Sequence, residues 1–200
     1  MKKHLTHIII ALLLTLSCKA QSPIVGIDAS RNSTPIGAYY KDLNNEFNKF
    51  VGTWVYTNGN DSLIIKLEKR EQVAVRSNYR DMLSGEYKYV ENGIEIINTI
   101  PLPSEISFAG NKNIGGGYII TGQNYDCTGC LDNERRIKLY ISDPQRDYLS
   151  VYLILRYIVN ETNPEKMTAT IISTHGGVIP NADSPTSLRV PYGEYLMIKQ

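Results

Sequence analysis

The chain has 200 residues, 21 basic and 20 acidic side chains, and a formal net charge of +1. This length suits one domain with a substantial buried core. The near-neutral charge and the lack of any basic cluster in the sequence argue against a nucleic-acid-binding protein.

Residues 1–20 are predicted to be a signal peptide of the lipoprotein type. Two lysines precede an apolar run over residues 8–16, and small or polar residues follow, which is the pattern of an export signal. The run is too short to span a bilayer as a helix, which takes about 20 apolar residues. The rest of the chain is therefore expected to be exported.

Two processing sites are open at the end of this signal. Leu16-Ser17-Cys18 resembles a lipobox, in which Cys18 becomes the acylated first residue, whereas a small-residue site would be cut after Ala20. We favour lipid attachment, since a cysteine at this position has few other uses. The expected location is the periplasm or the outer membrane, with the protein anchored by lipid rather than released.

The exported part offers few groups for catalysis. One histidine, His175, and two cysteines, Cys127 and Cys130, remain after the signal. A zinc site needs three or four ligands at suitable spacing, and the sequence has no such set. The G-x-S-x-G motif of a serine nucleophile is also absent from the sequence. We expect no enzyme activity, no metal and no cofactor.

Residues 21–40 are predicted to be a tether or a loosely packed arm, because they contain two prolines and many small polar residues. The residues that follow place Leu43, Phe47 and Phe50 at i, i+4 and i+7. This spacing predicts a short helix with one apolar stripe, and Asp42 is placed to cap it.

From Gly52 onward the apolar residues recur with a period of two, which predicts strands. Turn sequences such as Asn58-Gly59-Asn60-Asp61 separate the strands. Eight or nine strands, each near its predecessor, indicate a mainly β fold: an antiparallel meander over residues 41–200 that forms a lipocalin-like barrel or a strongly curved sheet. Closure would remove exposed strand edges. A two-sheet sandwich is the alternative.

The stretch 52–54 reads Gly-Thr-Trp, and together with the short helix and the meander it resembles the opening of lipocalins. The resemblance implies that Trp54 packs across the closed end of the barrel against Phe47 or Phe50. In lipocalins an arginine near the C-terminus stacks on this tryptophan, and Arg189 is the candidate here.

Longer stretches, FVGTWVYTNGNDSLIIKLEK and DMLSGEYKYVENG, resemble an uncharacterised family of exported proteins from Bacteroidota. This resemblance covers most of the exported chain. It implies an envelope location and a fold, and it carries no known activity.

Cys127 and Cys130 form a C-x-x-C motif. A redox pair needs its first cysteine at a helix N-terminus, which lowers the thiol pKa, but here the following residues lead into a strand and Asp126 disfavours the thiolate. A structural disulfide is expected, since exported chains oxidise their thiols. A loop this short gains about 2 kcal/mol, so the bond should hold only a loop tip.

Tyrosine is over-represented, with 14 Tyr against 3 Phe and 1 Trp. Tyr87 and Tyr89 share one face of a strand and are the candidates for ligand binding, because tyrosine stacks on sugars or aromatic rings and keeps a polar group. The favoured interpretation is structural, since tyrosine is also common in strands.

The leading functional hypothesis is a non-enzymatic envelope protein that binds a small apolar or aromatic ligand inside a lipocalin-like barrel. The alternative is a structural or protein-interaction lipoprotein with a filled interior. An eight-strand barrel is just wide enough for its own side chains or one small ligand, so the sequence leaves both open. The expected partners are the membrane, through the lipid anchor alone, and a small ligand or another envelope protein.

Overall fold

The computed structural model describes residues 22–100, 112–122, 125, 127 and 129–200, without the side chains of residues 160–162 and 175. The predicted signal peptide and Cys18 lie outside this part of the chain. Within it, no helix has the length and apolar character needed to cross a membrane.

Eleven strands and two short 3-10 helices make up the described secondary structure. The 3-10 helices are Arg31–Ser33 and Asn48–Phe50. The strands are β1 (Ile24–Gly26), β2 (Tyr39–Lys41), β3 (Gly52–Asn58), β4 (Asp61–Val75), β5 (Asn78–Glu91), β6 (Ile94–Asn98), β7 (Ile114–Thr121), β8 (Arg135–Ile141), β9 (Leu149–Thr162), β10 (Glu165–Gly177) and β11 (Gly193–Lys199).

Eight of these strands close into an antiparallel barrel. Its order is β5-β4-β3-β11-β10-β9-β8-β7, and β7 pairs with β5 to complete the ring. The predicted mainly β fold with a closed meander is confirmed, and the sandwich alternative is wrong. Closure is favourable because it pairs the edge strands that an open sheet would leave exposed.

The closing seam between β5 and β7 is short. It joins Leu83 to Gly116, Ser84 to Gly115 and Gly85 to Ile114. On the same edge of β5, residues near the start of β5 pair with β2 and residues near its end pair with β6. A side chain at Gly85 would collide with a backbone carbonyl of β4. Glycine is therefore required where the strands approach closely.

The predicted short helix before Gly52 does not form. A series of turns leads instead into the 3-10 helix Asn48–Phe50, and Asn45 adopts a left-handed backbone with φ of 54°, which interrupts a helix. Leu43 is 58% exposed, whereas Phe47 and Phe50 are fully buried. Contacts with the barrel therefore bury two of the three residues of the predicted apolar stripe, and the third stays exposed.

The segment predicted to be a tether or arm packs against the barrel in the structure. β1 pairs in parallel with β2, and β2 pairs in parallel with β5. The buried carboxylate of Asp81 accepts hydrogen bonds from Tyr39 Oη at 2.5 Å, from Asp42 N at 2.9 Å and from Gln72 N at 3.0 Å. One carboxylate thus joins the arm, the turn that follows it and β4.

Large side chains pack together in the interior of the barrel. Alternate residues of each strand point inward, as in β8, where Ile137, Leu139 and Ile141 are buried. The largest fully buried side chains are Trp54, Tyr87, Phe47, Phe50, Leu63, Ile65, Leu83, Ile114, Ile137, Leu139, Ile141 and Leu153. Burial of this apolar surface is the main stabilising contribution to the fold.

Candidate functional site

Trp54 packs at the start of β3, beside the 3-10 helix. Its ring is fully buried, as are Phe47 and Phe50, and its Nε1 donates a 2.8 Å hydrogen bond to the carbonyl oxygen of Phe50. The ammonium of Lys199 lies 5.4 Å from the indole centroid, within the range of a cation–π contact. These residues form a packed structural cluster.

Arg189, the predicted partner of Trp54, binds elsewhere. Its guanidinium donates to both carboxylate oxygens of Asp143, from Nη2 at 2.5 Å and from Nε at 2.7 Å. The cation over the indole is Lys199, because β11 pairs with β3 in a register that places Lys199 opposite Trp54. A cation does lie over Trp54, as predicted, but it is Lys199 and not Arg189.

The interior candidates Tyr87 and Tyr89 belong to the packed core. Tyr87 is fully buried, and its phenol donates to Ser142 O at 2.9 Å. Tyr89 is also buried, with its phenol 3.5 Å from Glu91 Oε1. Burial raises the pKa of both phenols. Both rings belong to the hydrophobic core of the barrel.

A second group of tyrosines lies on the outer surface of the barrel. Tyr118 on β7 is opposite Lys138 on β8, and Tyr140 on β8 is opposite Tyr152 on β9. Tyr125, from the loop between β7 and β8, packs onto the same surface. We call these five residues the tyrosine face. The four strand residues point outward because they alternate with inward-facing residues of the same strands.

The rings of the tyrosine face contact one another edge to face. The Tyr152 ring centroid lies 5.6 Å from that of Tyr125 and 5.2 Å from that of Tyr140, within the favourable range for aromatic pairs. Tyr125 and Tyr140 remain 36% and 46% exposed. The cluster is therefore ordered by internal contacts and still accessible from solvent.

Lys138 provides the charge at the centre of this face. Its Nζ donates to Tyr125 Oη at 2.9 Å and lies 4.7 to 5.7 Å from the ring centroids of Tyr152, Tyr125 and Tyr118. Burial acts to lower its pKa, but the hydrogen bond to Tyr125 and the neighbouring phenols outweigh it, so the pKa of Lys138 is raised. Lys138 is charged at neutral pH, and within the described residues it forms no ion pair with a carboxylate.

The predicted disulfide is confirmed: Cys127 and Cys130 are bonded, with their Cα atoms 5.6 Å apart. The loop continues into β8 rather than a helix, so the dipole that would activate a redox cysteine is missing. Arg156 Nη2 donates to Gly129 O at 3.1 Å, which also holds this loop. The disulfide lies two residues after Tyr125 and restrains the loop that carries this ring.

Little in the described part of the chain suggests metal chemistry. No group of three or more His, Cys, Asp or Glu residues is placed there to hold a metal ion. The backbone of His175 lies within β10.

A surface groove of about 540 Å³ is lined partly by Leu131 and Val159. Four of the five charged residues described along it are paired, and the fifth is Lys49. Arg135 donates to Glu46 at 2.7 Å, and the guanidinium of Arg156 is 2.6 Å from the Glu134 carboxylate. Since carboxylates neutralise both arginines of the groove, it is less suited than the tyrosine face to bind an acidic ligand.

The sequence pattern did not identify the tyrosine face. Lys138 and Tyr140 occupy the outward positions of a strand whose inward positions are Ile137 and Leu139. This alternation could have shown that both side chains lie on the outer surface. The register between strands, which brings Tyr118 and Tyr152 beside them, cannot be read from spacing within one strand.

Comparison with known proteins gives a family for the chain but no function. No curated protein and no solved structure was found to match this sequence. The profile of one protein family, described as a family of unknown function (DUF6705), matches residues 1–200. The chain belongs to this family of unknown function.

Proposed function

We propose that this protein is a non-enzymatic exported protein of the cell envelope that binds an acidic glycan on its tyrosine face. The proposal rests on one observation, the partly exposed tyrosine cluster around Lys138. Among the residues that the structure describes, this cation contacts phenol rings and forms no ion pair with a carboxylate. In this proposal the barrel is the scaffold that holds the rings.

The filled interior supports a site on the outside of the barrel. Trp54, Tyr87, Leu139 and Leu153 each bury their full surface within the core. A small apolar or aromatic ligand in the interior, the leading hypothesis from the sequence, would have to displace such side chains, and overpacking a core is destabilising. We therefore place recognition on the outer surface.

The chemistry of the tyrosine face suits a sugar chain with acidic groups. Tyrosine rings pack against the apolar faces of sugars, while their hydroxyls bind sugar hydroxyls. An ammonium donates up to three hydrogen bonds and pairs with carboxylate or phosphate. A surface that combines Tyr140, Tyr125 and Lys138 offers both kinds of contact within one small area.

The test is binding of alginate, an acidic polysaccharide, compared with neutral dextran. We expect Tyr140→Ala to weaken alginate binding about tenfold, as for the loss of one favourable aromatic contact. Lys138→Gln should reduce the preference for alginate over dextran. Tyr192→Ala, which removes an exposed tyrosine outside the face, is the matched control and should bind as the parent does.

A second variant separates recognition from stability. Replacing Cys127 and Cys130 by serine should change the free energy of unfolding by no more than about 2 kcal/mol. The same change should weaken alginate binding, because the loop that carries Tyr125 is released. Equal binding of alginate by the parent, Tyr140→Ala and Lys138→Gln proteins would contradict the proposed site.

The envelope location leads to a separate prediction about Cys18. The end of the apolar run at Leu16-Ser17-Cys18 and the resemblance to exported Bacteroidota proteins support lipid attachment there. Cys18→Ser should abolish labelling of the protein by radioactive palmitate, because the acyl chains need the thiol of Cys18. Globomycin, which blocks cleavage of acylated precursors, should leave a larger protein that keeps its signal peptide. If the parent protein takes up no palmitate and globomycin leaves its size unchanged, the chain is cut after Ala20 and released.

A further inference from the structure

Arg80 on β5 is a buried cation with incomplete pairing. It is only 7% exposed, and its Nη2 donates to Ile27 O at 2.6 Å and to Gly117 O at 3.2 Å. Its Nε is buried and has no hydrogen-bond partner, and the guanidinium forms no ion pair, among the described residues. A buried charge held only by carbonyls and rings is costly.

Two aromatic rings flank this guanidinium. Arg80 Cζ lies 5.3 Å from the ring centroid of Tyr40 and 4.6 Å from that of Tyr118. The Tyr40 phenol is buried too, and it has no hydrogen-bond partner within the described residues. Because buried polar groups are nearly always hydrogen-bonded, two such groups side by side indicate a site for a ligand.

A cavity of about 190 Å³ opens beside these groups. Its polar lining includes Arg31, Tyr40, Arg76, Ser77, Asn78 and Arg80, so three arginines and no acidic residue line it among the described residues. We call it the arginine pocket. Asp28, an acidic residue whose charge acts on Arg80, is bound to Arg135 at 2.9 Å.

We propose that the arginine pocket binds a small phosphate-type oxyanion, either free phosphate or a phosphate monoester on a sugar. Arginine matches the geometry of phosphate oxygens and forms strong charge-assisted hydrogen bonds with them. Tyr40 and Asn78 add neutral polar residues to the lining of the same cavity. The volume is below the range of about 300 to 1,000 Å³ for larger organic ligands, which suits a single charged group.

The inference does not depend on the proposed function. Tyr118 touches both regions, since its ring lies near Arg80 and near Lys138. The pocket, however, is lined by the arm and by the turn between β4 and β5, and it can be tested with ligands that lack a polysaccharide chain.

The experiment is calorimetric titration of the full chain with inorganic phosphate and, separately, with glucose 6-phosphate, at constant ionic strength in chloride. We expect saturable binding of at least one of them, and none of glucose. Tighter binding of glucose 6-phosphate would identify a sugar-borne monoester as the ligand, and tighter binding of inorganic phosphate would identify the free anion. Absence of saturable binding for both would overturn the proposal.

The mutational test uses exposed arginines rather than Arg80. Replacing Arg80 would also remove its hydrogen bonds to the carbonyl oxygens of Ile27 and Gly117. Arg31→Gln and Arg76→Gln should each weaken phosphate binding about tenfold, as for a lost charge-assisted hydrogen bond. Arg146→Gln removes the same charge at a distant loop, where Arg146 contacts Ser187 O, and should leave binding unchanged. Parent-like binding by both pocket variants would show that the anion binds elsewhere.

Discussion

Replacing Trp54 by alanine should lower the free energy of unfolding by about 3 to 5 kcal/mol, the usual cost of removing a large aromatic side chain from a core. The ring is fully buried against the 3-10 helix, and its Nε1 bonds the Phe50 carbonyl at 2.8 Å. Alanine would leave a cavity and an unpaired carbonyl at this end of the barrel. Urea denaturation of both proteins measures the difference.

Two observations check that this loss arises from the predicted packing. Trp54→Phe keeps an aromatic ring and loses the hydrogen bond, so it should cost clearly less than Trp54→Ala. Since Trp54 is the only tryptophan, its fluorescence should be blue-shifted in the folded protein and should shift to the red on unfolding. An alanine variant as stable as the parent would contradict the role of Trp54 in the core.

Replacing Asp143 by asparagine should cost about 3 kcal/mol, in the range for breaking a buried ion pair by removing one partner. The Asp143 side chain is fully buried, and Arg189 binds both of its oxygens. Arg189 Nη1 also reaches Ile96 O at 3.4 Å. The pair therefore joins the loop before β11 to the end of β8 and to β6. Asp147→Asn, at a nearby exposed position, is the control and should be neutral.

The ion pair between Asp143 and Arg189 should also make the free energy of unfolding depend on pH. Burial acts to raise the pKa of Asp143, but the hydrogen bonds from Arg189 and from Gln145 N outweigh it, so the pKa lies below its usual value. A depressed carboxyl pKa stabilises the folded state above about pH 4, the ordinary value for Asp. This stabilisation is lost as the pH falls through the folded-state pKa. The stability difference between parent and Asp143→Asn should therefore shrink below about pH 4, and a constant difference would contradict the role of the ion pair.

The barrel could be predicted from the sequence because its signals are local. Apolar residues alternate along β4 and β8, and turn residues such as those at 91–93 separate the strands. Alternation within a strand decides which side chains face the core. The fold class follows from signals within a few residues, whereas the buried position of Trp54 was implied by the resemblance to lipocalins.

The failure of the predicted helix shows where local spacing is insufficient. The spacing of Leu43, Phe47 and Phe50 is helical, but both phenylalanines are buried by contacts with the barrel while Leu43 stays exposed. The Asp42 carboxylate accepts hydrogen bonds from Glu46 N at 2.8 Å and Phe47 N at 3.0 Å. A turn satisfies these groups as well as a helix would, and tertiary packing decides between the two.

By itself, the sequence determined the β strands from Gly52 onward, their alternation and the C-x-x-C disulfide, since each depends on residues close together in the chain. The tertiary structure alone decided the closing pair β5–β7, the cation over Trp54 and both candidate sites. Arg31 and Tyr118, for instance, are 87 residues apart in sequence and 3.2 Å apart at their hydrogen bond. Such groups meet only through the register of paired strands, which depends on the packing of the whole barrel rather than on any single segment.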